Sequence, residues 1–175
     1  MLPGDFSEKQ RVERMIRVDH AGEYGAKRIY AGQLAVLGKQ PVGEVIRHMA
    51  GQEEAHLAAF DKLLRQRKIR PTFLLPLWHA AGFAMGAATA LMGEKAAMAC
   101  TVAVEEVIDE HYRGQENSLS ENEQELKEKI AKFRAEENEH KEIGLEYERN
   151  DNAYPLLKTG IKTATRLAIW LSTRV

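Results

Sequence analysis

The chain has 175 residues, a formal net charge of -1 and one cysteine, Cys100. That length suits one domain spanning residues 1–175 with a sizeable core, while the near-neutral charge and the absence of basic residues clustered with aromatics give no case for nucleic acid. A single cysteine rules out an internal disulfide, and Cys100, set among Ala, Met and Val, reads as a small buried apolar side chain.

The N-terminus carries neither a secretory signal nor an Arg-rich transit pattern. Ser7 is a candidate N-cap for a first helix running to Leu37, where Gly38 stops it and Pro41 opens the next. The second helix runs to about Arg67 and is broken by Arg70-Pro71. An apolar third helix is predicted from Phe73 to Met92, ending before Gly93, and a fourth from Glu94 to Leu119. Ser120-Glu121-Asn122-Glu123 has the form of a capping box that starts a fifth helix reaching Arg149. Asn150-Asp151-Asn152 turns the chain into a last helix, Tyr154 to Thr173. Nothing reads as a strand, so the fold class is all-α, and the short connections make neighbouring helices antiparallel.

Two copies of Glu-x-x-His, Glu53 to His56 and Glu137 to His140, each follow another helical glutamate, Glu23 and Glu105 respectively, at nearly equal separations. Residues three apart on a helix face the same way, so each copy offers a carboxylate and an imidazole to one point. The repeat implies two helix hairpins that face one another as a four-helix bundle. Periodicity chooses within the adjacent pairs Glu53-Glu54, Glu105-Glu106 and Glu136-Glu137. Glu53 and His56 lie in the stripe Val42, Ile46, Met49, Phe60, Leu63; Glu137 and His140 lie in the stripe Leu126, Ile130, Phe133, Gly144, Tyr147. Met98, Val102, Ile108 and Tyr112 favour Glu105, and Val12, Ile16, Ala26 and Tyr30 put Glu23 on the buried side. Four carboxylates and two imidazoles form a hard, oxygen-rich shell suited to two iron or manganese ions. Without a cation, four buried carboxylates would each cost several kcal/mol. His48 and His79 read as ordinary residues; His111 lies within two turns of Glu105.

Three stretches carry a family resemblance: Arg17-Val18-Asp19-His20-Ala21-Gly22-Glu23-Tyr24-Gly25-Ala26, the run Ala99 to Glu106, and Phe133-Arg134-Ala135-Glu136-Glu137 leading to His140. The chain resembles the demethoxyubiquinone hydroxylases, ferritin-like di-iron monooxygenases of ubiquinone biosynthesis. The resemblance implies a four-helix bundle with two additional helices, and two irons held by Glu23, Glu53, His56, Glu105, Glu137 and His140. Glu23 and His56 would then serve one iron, Glu105 and His140 the other, and Glu53 and Glu137 would bridge. It also implies that His111 and Tyr112 act near the metal. Glu110 stands where some relatives have a second histidine. Asp19, Gln52 and Glu136 are candidates to hold the ligating imidazoles from behind. The implied substrate is a polyprenylated methoxy-methyl-benzoquinone, with dioxygen, an external reductant (NADH or a reduced quinone), and as further partners a lipid-presenting accessory protein or biosynthetic complex and a second copy of the chain.

No charged residue occurs between Pro71 and Gly93, an apolar run that fits a core helix or a helix docked on a membrane surface better than a span. The last helix sets Leu157, Ile161, Ala164, Ala168 and Leu171 on one face and Lys158, Lys162 and Arg166 on another, a pattern suited to anionic lipid. The expectation is a peripheral protein of the inner membrane, on the cytoplasmic face in a bacterium or the matrix face in a mitochondrion. The alternatives are an iron-handling ferritin-like protein and a manganese catalase or peroxidase on the same scaffold.

Overall fold

The computed structural model describes residues 6–148 and 154–175. Among them are six α-helices and no strand: α1 (Glu8–Leu37), α2 (Val42–Arg67), α3 (Leu75–Leu91), α4 (Glu94–Ser118), α5 (Gln124–Glu148) and α6 (Pro155–Ser172). Helices α1, α2, α4 and α5 form the ferritin-like four-helix bundle, and α3 and α6 are the two additions. Ser7 caps α1 as expected, accepting from the Gln10 amide while the Gln10 side chain accepts from the Ser7 amide. The predicted box at Ser120 does not form: Glu121–Glu123 make one 3-10 turn before α5, and the Ser120 hydroxyl donates instead to Glu8. Helix α2 ends before Arg70-Pro71, at Lys68, whose φ of 56° lets the Ile69 amide reach back to the Leu64 carbonyl at 2.9 Å. Phe73 and Leu74 precede α3 rather than opening it. The predicted turn at Asn150-Asp151-Asn152 lies outside the described residues.

Contacts between helices fix their directions. Lys27 meets Glu54 and His20 meets Asp61, so α1 and α2 run antiparallel; Arg134 meets Asp109 and Gly144 meets Val102, so α4 and α5 do the same. Helix α3 returns parallel to α1, and the two backbones touch. A Cβ on Gly86 or Gly32 would collide with the Ile29 or Phe83 carbonyl, and one on Gly82 would stand 2.9 Å from the Gly25 oxygen. Helix α6 lies parallel to α4, where Lys162 pairs with Glu106 and Arg166 with Glu110. Both halves therefore have one plan, a hairpin followed by a third helix laid along the first. Ala164 and Ala168 take the places in the second half that Gly82 and Gly86 take in the first, at the same offset that relates Glu105 to Glu23.

Two apolar clusters close the bundle. Val12, Ile16, Phe60, Leu126, Ile130 and Phe133 fill one end; Leu37, Val42, Ile46, Met49 and Met98 fill the other. Each such fully buried side chain stabilises the fold by roughly 1.5–3 kcal/mol before entropy is counted. Cys100 is wholly buried, and burial pushes its thiol up to about 12. Helix α3 is not a core helix, because only Gly82, Gly86, Thr89 and Ala90 of it are buried. Phe73, Leu77, Leu91 and Met92 face outward, as do Leu156, Leu167 and Trp170 around α6. The basic face of α6 also meets the bundle. Lys162 and Arg166 turn toward the acids of α4, whose spacing of four matches theirs on a parallel helix.

Candidate metal centre

Between the two apolar clusters lies one polar layer. Glu23 comes from α1, Glu53 and His56 from α2, Glu105 from α4, Glu137 and His140 from α5, and all six are buried. The neighbours that periodicity rejected lie outward: Glu54 is exposed beside Lys27, and Glu106 is half-buried against Lys162. The layer divides into two groups whose ligand-type atoms all lie within 4.8 Å of one another: Glu23, Glu53, His56 and Glu137, and Glu53, Glu105, Glu137 and His140. Glu53 and Glu137 belong to both.

Both imidazoles turn Nδ1 inward. His56 Nδ1 is 3.0 Å from Glu137 and 3.4 Å from Glu23, and His140 Nδ1 is 2.9 Å from Glu137 and 3.4 Å from Glu53. Both turn Nε2 outward to an acceptor on the opposite hairpin. His56 Nε2 donates to Glu136 at 2.7 Å and His140 Nε2 to the Gln52 side-chain amide oxygen at 2.8 Å. Gln52 and Glu136 thus take the place expected of them. Asp19 does not: it accepts from His111 at 3.1 Å and Gln115 at 2.7 Å, away from either inward imidazole.

Two tyrosines complete the layer reciprocally. Tyr112 of α4 donates to Glu23 of α1, and Tyr30 of α1 donates to Glu105 of α4 at 3.3 Å. Periodicity alone places Tyr30 in a core stripe and gives it no role. A signal was available, because Tyr30 lies as far beyond Glu23 as Tyr112 lies beyond Glu105. His111, by contrast, is half-buried at the rim, with Asp19, Tyr112 and the carboxylates around a cavity of about 20 Å³.

The electrostatics of the layer follow from its burial. Burial, followed by the charges of neighbouring carboxylates, holds Glu53 and Glu105 well above the usual carboxylate range, and burial raises Glu23 as well. Burial also opposes the charge on Glu137, but the His140 and His56 imidazoles, 2.9 and 3.0 Å away, outweigh it and bring this carboxyl to about 2. Burial likewise opposes a charged His56, yet Glu137 and Glu23 raise the imidazole to about 11. Even so, Glu23 Oε2, both oxygens of Glu53, Glu137 Oε2 and His140 Nδ1 are buried without a hydrogen-bond partner among the described residues. Close atoms with unused lone pairs, converging from four helices, fit hard divalent cations.

Above the layer, α1, α3, α4 and α6 enclose an apolar groove of about 160 Å³, lined in part by Ile29, Trp78, Met85, Val104 and Ala168. It shares Val18, Gly22, Ala26, Ile108 and Ile169 with the small polar cavity, so the two adjoin. Trp78 Nε1 donates to Ser172 across the groove at 3.0 Å.

Residues 10–172 match the family model described as ubiquinone biosynthesis protein COQ7. The chain is 56% identical over 176 residues to 3-demethoxyubiquinol 3-hydroxylase of Rhodospirillum rubrum, covering 99% of this chain and 83% of that protein. It is 52% identical to the NADPH-dependent 3-demethoxyubiquinone 3-hydroxylase, mitochondrial, of Homo sapiens, covering 98% and 81%. It is 41% identical to the 5-demethoxyubiquinone hydroxylase, mitochondrial, of Saccharomyces cerevisiae, covering 94% and 78%. Iron storage and peroxide removal find no support among these relatives. By sequence, the chain belongs to the COQ7 family of ubiquinone biosynthesis proteins.

Proposed function

We propose that this chain hydroxylates a polyprenylated demethoxyubiquinone ring with dioxygen at a di-iron centre. The observation that carries this reading is the convergence of six ligand-type side chains, several with unsatisfied buried atoms, beside an apolar groove in a family of quinone hydroxylases. Glu23 and His56 would hold one iron and Glu105 and His140 the other, with Glu53 and Glu137 available to both. Bound iron would supply the activation of dioxygen that ring hydroxylation needs, with electrons from an external reductant of the reduced-nicotinamide or quinol kind.

The protein's own part is orientation and exclusion of water. Gln52 and Glu136 keep a proton on each Nε2 and leave each Nδ1 lone pair for metal. Tyr30 and Tyr112 tie Glu105 and Glu23 through one oxygen each, and His111 and Tyr112 border the cavity. The groove admits the substrate ring, and the outward apolar side chains of α3 and α6 meet lipid, where the prenyl tail stays. Among the described residues no helix is long and apolar enough to cross a membrane. The outward apolar side chains of α3 and α6 support a peripheral association, on the inner membrane.

Protein reconstituted with Fe²⁺ is expected to hold close to two irons per chain and to convert a short-chain demethoxyubiquinone to its hydroxylated product, followed by mass spectrometry. Glu137→Gln and His140→Ala should each lose at least about half of the iron and nearly all turnover while keeping their helical circular dichroism. Full turnover by either variant would defeat the assignment.

A further inference from the structure

The two halves match at the six ligands, and at three positions beside them the ionisable member of a mismatched pair falls on one side. At the offset that relates Glu53 to Glu137, Gln52 corresponds to Glu136. At the offset that relates Glu23 to Glu105, Asp19 corresponds to Thr101 and His111 to Ile29. The ionisable members, Glu136, Asp19 and His111, flank the Glu23–His56 side. The other side has Gln52 behind His140, Thr101 accepting from Gln33 at 3.5 Å, and Ile29.

Glu136 and Gln52 make nearly the same contact, 2.7 Å to His56 Nε2 and 2.8 Å to His140 Nε2. Their side chains are almost the same size, so charge is the main difference. Resting on the metal reading above, we propose that Glu136 and Gln52 are positioning residues that make the two cation sites unequal, and that the Glu23–His56 site fills first. A carboxylate behind an imidazole strengthens it as a donor and adds negative charge to the pocket; an amide oxygen offers only a dipole. Lys132 also approaches Glu136, at 3.6 Å, but its side chain is 70% exposed, so water screens that contact more than the shorter one to His56. Since losing such an outer partner typically lowers metal affinity 10–100-fold, replacing a carboxylate by an amide should separate the two binding steps by about tenfold. A half-loaded protein then carries its ion on the side where His111 and Tyr112 border the cavity.

The test is a Zn²⁺ titration of the metal-free full chain labelled with ¹⁵N-histidine, with Zn²⁺ as a diamagnetic probe and His56→Gln and His140→Gln used to assign the imidazole signals. The His56 signal should move over the first equivalent and the His140 signal over the second. Glu136→Gln should bring the two steps together, and the Gln52→Glu, Glu136→Gln exchange should reverse their order. Both substitutions are near-isosteric, and circular dichroism checks their folding; if the exchange variant does not fold, narrowing in Glu136→Gln alone decides. Signals that move together in the unaltered chain, or an order that survives the exchange, would overturn the proposal. If neither signal moves and no Zn²⁺ is retained, the metal reading itself falls, which is a separate result from equal sites.

Discussion

In the four-helix bundle, carboxylates and imidazoles occupy the interior and apolar side chains seal both ends. On α3 and α6 the arrangement is opposite, with small residues turned inward and phenylalanine, leucine and tryptophan turned out. Each region departs from the usual partition of polar and apolar groups, and each departure is unfavourable in water alone. The bundle interior calls for positive charge; the outer face calls for an apolar surface to cover it. The groove between α1, α3, α4 and α6 lies where the two regions meet, which is where a molecule with a polar ring and an apolar tail would fit both.

If the contrast is correct, satisfying the interior should have the largest effect on stability. A ligand that binds only the folded state, at a thousand times its Kd, adds about 4 kcal/mol, or roughly 8–16 °C in Tm for a chain of this size. Calorimetry with and without Fe²⁺ or Mn²⁺ measures this, and an unchanged Tm would remove the need for a cation. The join between the regions comes next. Gly86→Val drives a side chain into the Ile29 carbonyl, so we expect about 1–3 kcal/mol of destabilisation with α3 displaced, while the six ligands still bind metal. The smallest effect on the fold belongs to the outer face. Leu167→Ser with Trp170→Ser, both more than half exposed, should leave Tm within about 1 °C yet weaken flotation with liposomes several-fold. Undiminished flotation would exclude this part of α6 from the lipid contact.

The site was more legible than the packing around it. Glu53 could be told from Glu54, and Glu137 from Glu136, because a helix repeats its buried face every three or four residues and the stripe passes through only one of each pair. Ser7 could be read because its partner, Gln10, is three residues away. Ser120 looked equally local, but its hydroxyl goes to Glu8, 112 residues distant, and no local pattern shows that. Lys162 and Arg166 looked available to lipid for the same reason: their partners on α4 appear only once α6 is laid parallel to it. Gly82 and Gly86 offer no side chain to read in the apolar run, yet their spacing of four marks the face that α1 approaches.

Each hairpin offers three ligand-type side chains to its own group and lends one to the other, Glu53 in one direction and Glu137 in the other. In polymer terms, the ions proposed here would act as reversible cross-links between Glu53 and Glu137, which close a loop of nearly half the chain. A permanent link closing so long a loop removes about 4–5 kcal/mol of chain entropy from the unfolded state. A chain without disulfides would then gain comparable restraint from the same carboxylates that carry its chemistry, and would lose it on exposure to a chelator.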